Sequence, residues 1–228
     1  MTKKAWGDQG PQDKPSPSWQ LDPQTLSVRG GLVRSGFGET SEALFLNSGF
    51  TYESAEQAEA AFAEETDHYL YSRFHNPTVA MFEDRLAALE GAERCIATSS
   101  GMSAMFMSVA CLVSSGDRVV ASAAMFSSCH VVLTEILPKW GVSVELVKSD
   151  DVEGWKSALS KPTKAVFIET PSNPMLEITD IKFVSELAHK VGATVIVDNV
   201  MASVVNQKPL QLGADVIMYS TTKHIDGQ

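Results

Sequence analysis

From Cys95 onward, short β-branched runs alternate with stretches of helical character, and this alternation limits the fold more than any other feature of the chain. "CIAT" leads into a helix from Gly101; "RVVAS" precedes a helical stretch around Val131 to Lys139; "VSVELV" precedes a helix from Val152 to Leu159. The pattern continues with "KAVFIE", a helix over Ile181 to Val191, "ATVIVD", a short helical turn near Leu210, and "DVIMYS". Strands that are apolar along their whole length and alternate with helices predict an α/β domain with a mostly parallel sheet covered on both faces. Upstream, "ESAEQAEAAFAEE" predicts a helix, and so does "NPTVAMFEDRLAALEGAE". In the second, Asn76 suits the N-cap, Pro77 the first helical position and Gly91 the left-handed stop.

Residues before about 50 hold few periodic apolar positions and read as an arm. The expected organisation is a flexible leader over residues 1–26, an arm over 27–75 and an α/β domain over 76–228. The leader opens with two adjacent lysines, Lys3 and Lys4, with no apolar run behind them, which fits neither a secretory signal nor a membrane anchor. Eighteen Lys+Arg against 28 Asp+Glu give a formal charge of -10, which argues against nucleic acid or an anionic membrane as the main partner. Cys95, Cys111 and Cys129 lack metal-ligand spacing and lie in or beside apolar segments, so buried thiols in a reducing, cytoplasmic compartment are expected. The five histidines show no metal-ligand spacing either, and no metal is expected.

Ligands of open parallel sheets collect at the carboxyl ends of the strands. Three polar features fall there. After "CIAT", Ser100, Gly101 and Met102 open a helix whose N–H groups can hold an anion. After "ATVIV" stands Asp198, and after "DVIMY" stand Ser220, Thr222 and Lys223. Singly, each is more often a helix cap, a turn residue or a solvated lysine. Together they match the needs of pyridoxal phosphate. Lys223 can condense with the cofactor aldehyde and later carry protons, its amine made nucleophilic by desolvation or neighbouring cations. Asp198 can keep the pyridine nitrogen protonated, and the serine, threonine and helix N–H groups can bind the phosphate.

"YSRFHNPT", "SSGMSA", "ETPSNP", "VDN" and "YSTTKHIDGQ" stand in the order and spacing of the Cys/Met-metabolism family of pyridoxal-phosphate enzymes, which the chain resembles over about residues 28 to 228. Within the family, "GETSEALFLNSGFTYESAEQAEAAFA" is most similar to O-succinylhomoserine sulfhydrylases. The resemblance implies the large domain of an aspartate-aminotransferase-like (type I) transferase. It also implies γ-replacement on an amino-acid ester by sulfide, giving homocysteine for methionine biosynthesis. A cystathionine γ-synthase or γ-lyase is the close alternative. Tyr71 and Arg73 are implied to reach the phosphate of a partner's cofactor, making a catalytic dimer within a tetramer. Phe126 falls where the family stacks an aromatic ring on the cofactor, and Asn173 where it binds the phenolic oxygen. Ser128 stands where methionine γ-lyases carry a cysteine, and "DNVMASVV" replaces the more usual Ala-Thr-Pro after the aspartate.

Family members continue beyond this lysine into a C-terminal domain with an arginine for the substrate carboxylate. The chain is therefore expected to be a fragment ending after the cofactor lysine, with little turnover of its own. A non-catalytic, oligomerising remnant is the contrasting reading, and a colourless protein unaltered by borohydride would favour it. A nucleotide-dependent dehydrogenase finds no support, because "SGFGET" lacks the third glycine of a dinucleotide fingerprint.

Overall fold

Five strands form one parallel sheet in a computed structural model of the chain, which describes residues 21–227. They are β1 (Arg118–Ser122), β2 (Ser143–Val147), β3 (Ala165–Glu169), β4 (Thr194–Asp198) and β5 (Val216–Met218), in the order β2-β1-β3-β4-β5. All four pairings are parallel. Alternate residues of the apolar runs serve opposite faces, as the two-residue period of a strand requires. Val119, Ala121, Phe167 and Ile196 enter one core with Met105, Val109, Cys129, Leu133 and Leu137. Val120, Val166, Ile168, Val195 and Val197 enter the other with Trp155, Ala158, Val184 and Ala188. Burial on both faces is what makes these strands continuous apolar runs.

These strands belong to the second of two compact units, which meet in sequence between Ala97 and Thr98. The first unit holds α1 (Pro23–Arg29), α2 (Ala55–Phe62) and α3 (Pro77–Glu90). The second holds α4 (Gly101–Ala110), α5 (Ser127–Val131), α6 (Val152–Ala158), α7 (Ile181–Lys190) and the short α8 (Ser203–Asn206). Helix α3 thus lies on the near side of the division, whereas the sequence reading begins the α/β domain at residue 76.

Three local expectations differ from what is observed. Residues 1–20 of the predicted leader lie outside the described residues, but its last part is helical: Asp22 accepts the Thr25 N–H at 3.0 Å and Pro23 occupies the first position of α1. "CIAT" forms no strand, because residues 95–98 find no ladder partner among the described residues. Cys111 is exposed rather than buried, since it follows the last residue of α4 as its C-cap, while Cys129 is buried and Cys95 intermediate. Burial raises the Cys95 thiol to about 11 and the Cys129 thiol to about 12.

The arm has polar anchors in place of an apolar stripe. Asn76 caps α3 by accepting the Thr78 N–H at 2.9 Å, and its amide donates to the Phe45 carbonyl at 3.0 Å and to Ser72 Oγ at 2.9 Å. Thr78 Oγ1 accepts the Phe45 N–H at 2.8 Å, and Arg85 donates to the Gly30 carbonyl at 2.8 Å while pairing with Glu42. Gly31 has φ +70°, and a Cβ there would lie 2.6 Å from the Met81 carbonyl oxygen, so glycine alone allows α1 to run into the chain against α3.

Candidate cofactor site

The parallel register gathers the polar residues at one edge of the sheet. Glu169, last in β3, is the register partner of Asp198, last in β4, and Asp198 is the partner of Met218, last in β5. Adjacent strands lie about 4.8 Å apart, so the segments that follow these three residues start side by side.

Asp198 is 4% exposed, and its Oδ1 accepts the Val200 N–H at 3.0 Å. Burial pushes its carboxyl up to about 7; the Val200 hydrogen bond opposes the rise and the Glu169 charge adds to it. Asn199 is fully buried in a polar network, donating to the Ser203 carbonyl at 3.2 Å and to Tyr219 Oη, and accepting from Gln207 Nε2 at 2.8 Å. The loop replacing Ala-Thr-Pro is therefore held by side-chain amides.

Ser100 is the N-cap of α4, and its Oγ accepts the Ser103 N–H at 3.1 Å. The N–H groups of Gly101 and Met102 belong to the first turn and have no intrahelical acceptor. A Cβ at Gly101 would lie 2.5 Å from Ser220 Cβ and 2.9 Å from Ser220 Cα, so only glycine lets the helix start rest on that residue. Ser220 Oγ is 3.0 Å from Thr222 Oγ1, which in turn accepts from Lys223 Nζ at 3.1 Å. Helix N–H groups, two hydroxyls and an ammonium thus form one connected cluster, the chemistry a phosphate dianion requires. Lys223 is exposed, so the described residues of its own unit do not supply the desolvation invoked from the sequence. Replacing Gly101 with alanine is expected to weaken pyridoxal-phosphate uptake about tenfold or more, because backbone as well as side-chain atoms must move; titration of cofactor absorbance checks this.

Glu169 was missed in the sequence reading. It is 2% exposed, with Oε1 accepting the Asn173 N–H at 2.9 Å and Oε2 accepting the Phe126 N–H. Burial raises its pKa, and the two N–H donors oppose the rise. A carboxylate ending a wholly apolar strand, just before Thr-Pro, is the signal that could have found it. Phe126 directly precedes α5 and is 39% exposed. A groove of about 740 Å³ lies beside these loops, lined by Met125, Ser149 and Asn173 among others, but neither Asp198 nor Lys223 lines it.

Tyr71 and Arg73 lie in the first unit. Tyr71 forms an antiparallel bridge with Gly49 and is 42% exposed, and the Arg73 guanidinium stands 5.2 Å from its ring centroid. The structure therefore places these two together in one unit and the other nine candidates in the other.

A parallel sheet whose carboxyl edge carries a buried acid, a hydroxyl-lined helix start and a lysine has the arrangement in which α/β enzymes hold their ligands. Residues 24–228 match the Cys/Met metabolism PLP-dependent enzyme family, and the chain belongs to it. It is 56% identical over 204 residues to an O-succinylhomoserine sulfhydrylase of Mycobacterium tuberculosis, covering 90% of this chain and 50% of the relative. To the O-succinylhomoserine sulfhydrylase of Pseudomonas aeruginosa it is 45% identical, with 90% and 51% covered. Among solved structures, an O-acetylhomoserine (thiol)-lyase from Campylobacter jejuni subsp. jejuni, carrying N'-pyridoxyl-lysine-5'-monophosphate, superposes with a TM-score of 0.86 at 31% identity, over 91% of this chain and 51% of that one. Cystathionine γ-synthase from Xanthomonas oryzae pv. oryzae, in complex with cystathionine, gives 0.84 at 33% identity, over 91% and 52%. The chain spans about half the length of the curated relatives it matches.

Proposed function

We propose that the protein containing this chain replaces the γ-substituent of O-succinylhomoserine with sulfide, yielding homocysteine and succinate. The single observation that carries this reading is the 56% identity to an O-succinylhomoserine sulfhydrylase over 204 residues, a span that includes most of the site. When bound, pyridoxal phosphate supplies an electron sink for the carbanion left as a substrate C–H bond breaks. The residues fit that group: the cluster at Gly101 suits its phosphate, and a buried acid pushed up to about 7 calls for a cationic neighbour such as a protonated ring nitrogen.

Ser100, Gly101, Met102, Ser220 and Thr222 hold the phosphate. Asp198 stabilises the proton on the pyridine nitrogen. Phe126 would cover the ring face and the Asn173 amide would donate to the phenolic oxygen. The Lys223 amine would anchor the cofactor and, when freed, would take protons from the substrate's Cα and Cβ and later return them. Tyr71 and Arg73 serve the phosphate of a second subunit, so the working unit is a dimer, within a tetramer in the cytoplasm.

Cysteine in place of sulfide would give cystathionine, a reading favoured by the likeness to the cystathionine-bound synthase. The test is a competition assay on a polypeptide of the relatives' full length carrying these 228 residues, supplied with O-succinylhomoserine and both nucleophiles. Homocysteine is expected as the main product, and a predominance of cystathionine would overturn the assignment.

A further inference from the structure

The Glu169 carboxylate is almost wholly enclosed. Burying a carboxylate is costly unless hydrogen bonds compensate for lost water. Here both oxygens are committed to backbone N–H groups from two different loops: Phe126, after β1, and Asn173, four residues past Glu169 itself. The β3 strand is the physical link, since it lies between β1 and β4 in the sheet and ends beside Asp198.

The Phe126 carbonyl is tied to the following helix by the His130 N–H at 3.1 Å, but among the described bonds its own N–H goes to Glu169. Its side chain is 39% exposed, and it stands at the start of the helical stretch that opens with α5 without a side-chain capping hydrogen bond. Asn173 lies in a loop stapled on its far side, where Ser172 donates to the Glu177 carbonyl at 3.0 Å and Ser172 Oγ accepts the Glu177 N–H at 3.1 Å. The near side depends on Glu169.

We propose that Glu169 is a positioning residue, one buried carboxylate that fixes the backbones of Phe126 and Asn173 so that their side chains meet the cofactor ring from set directions. This inference rests on the proposed function for the identity of the ring, but the clamp itself can be tested apart from it. Glutamine is the informative replacement, because its amide keeps the shape and can accept from only one of the two N–H groups, turning a donor toward the other.

The experiment compares wild type and Glu169→Gln in the full-length polypeptide defined above. Bound pyridoxal phosphate is read by circular dichroism per bound cofactor, well below the melting temperature, together with its dissociation constant. A merely structural role would lower stability and leave the dichroism of each bound ring unchanged. The clamp predicts that the dichroism falls severalfold and that the dissociation constant rises about tenfold, the scale of one lost charge-assisted hydrogen bond. Unchanged dichroism of each bound ring overturns the proposal, whatever the affinity. Amide hydrogen exchange on the cofactor-free wild type supplies an independent measurement should the variant fail to fold. Slow exchange at Phe126 and Asn173 supports the clamp, and exchange at open-loop rates refutes it. A wild type that takes up no cofactor but protects both amides would overturn the proposed function while leaving the clamp standing.

Discussion

Substituting Lys223 with alanine is expected to lower turnover of the full-length polypeptide by about 10⁴-fold or more, and to remove the adduct that borohydride otherwise traps at this position. Two losses combine. In the proposed function the amine is the covalent anchor of the cofactor and also carries the protons, a role that alone is worth about 10² to 10⁴ in rate. Its placement follows from the connected cluster: Nζ donates to Thr222 Oγ1, Thr222 contacts Ser220 Oγ, and Ser220 rests against Gly101 at the start of α4. A charge-only role is separable, because arginine keeps the cation but stays protonated and cannot exchange protons near neutral pH. Lys223→Arg should therefore be as inactive as Lys223→Ala. Retained turnover in the alanine variant, or trapping at a different lysine, would remove the basis of the proposed function.

The strands and the capped helices were legible because their signals are local. Asn76, Pro77 and Gly91 bound α3 as expected, and apolar runs such as "AVFIE" are buried residue for residue. Helix α1 carried the same kind of signal, Asp22 before Pro23, but its few apolar positions hid it. What stayed illegible depends on partners distant in sequence. "CIAT" has strand-like composition, yet a strand exists only where a neighbour pairs with it. The helical stretch predicted around Val131 to Lys139 is helical throughout but changes pitch, widening to a π turn at Val132–Ile136 and tightening to a 3-10 turn at Leu137–Trp140, where Pro138 offers no N–H. At the site, Asp198 was readable from its place at a strand end. Glu169 ends its strand in the same way, but the two loop N–H groups it accepts, one of them more than forty residues away, leave no local mark.

Asp198 should make the cofactor-free protein less stable as pH rises. Its carboxyl stands at about 7 in the fold against 3.8 for the free side chain. The folded state thus binds the proton more tightly than the unfolded state. That contribution is complete below pH about 4 and is lost as pH climbs to about 7, at about 1.4 kcal/mol per unit. From pH 5 to pH 8 the expected loss is about 3 kcal/mol, measurable by urea denaturation of the stripped protein. Glu169, also raised, adds a slope of the same sign. The partly exposed carboxyls of Glu39 and Glu145 are shifted downward by the hydrogen bonds they accept, so they act only at more acidic pH. Asp198→Asn keeps an oxygen to accept the Val200 N–H and removes the titration, so it should be flatter in pH and more stable than wild type at pH 8. Cofactor should reverse that ranking. A cationic ring nitrogen beside Asp198 compensates the buried charge and has nothing to pair with in the asparagine variant, whose turnover should fall by about 10² or more. An equal pH slope in both proteins, or equal stabilisation of both by pyridoxal phosphate, would show that Asp198 does not face the ring nitrogen.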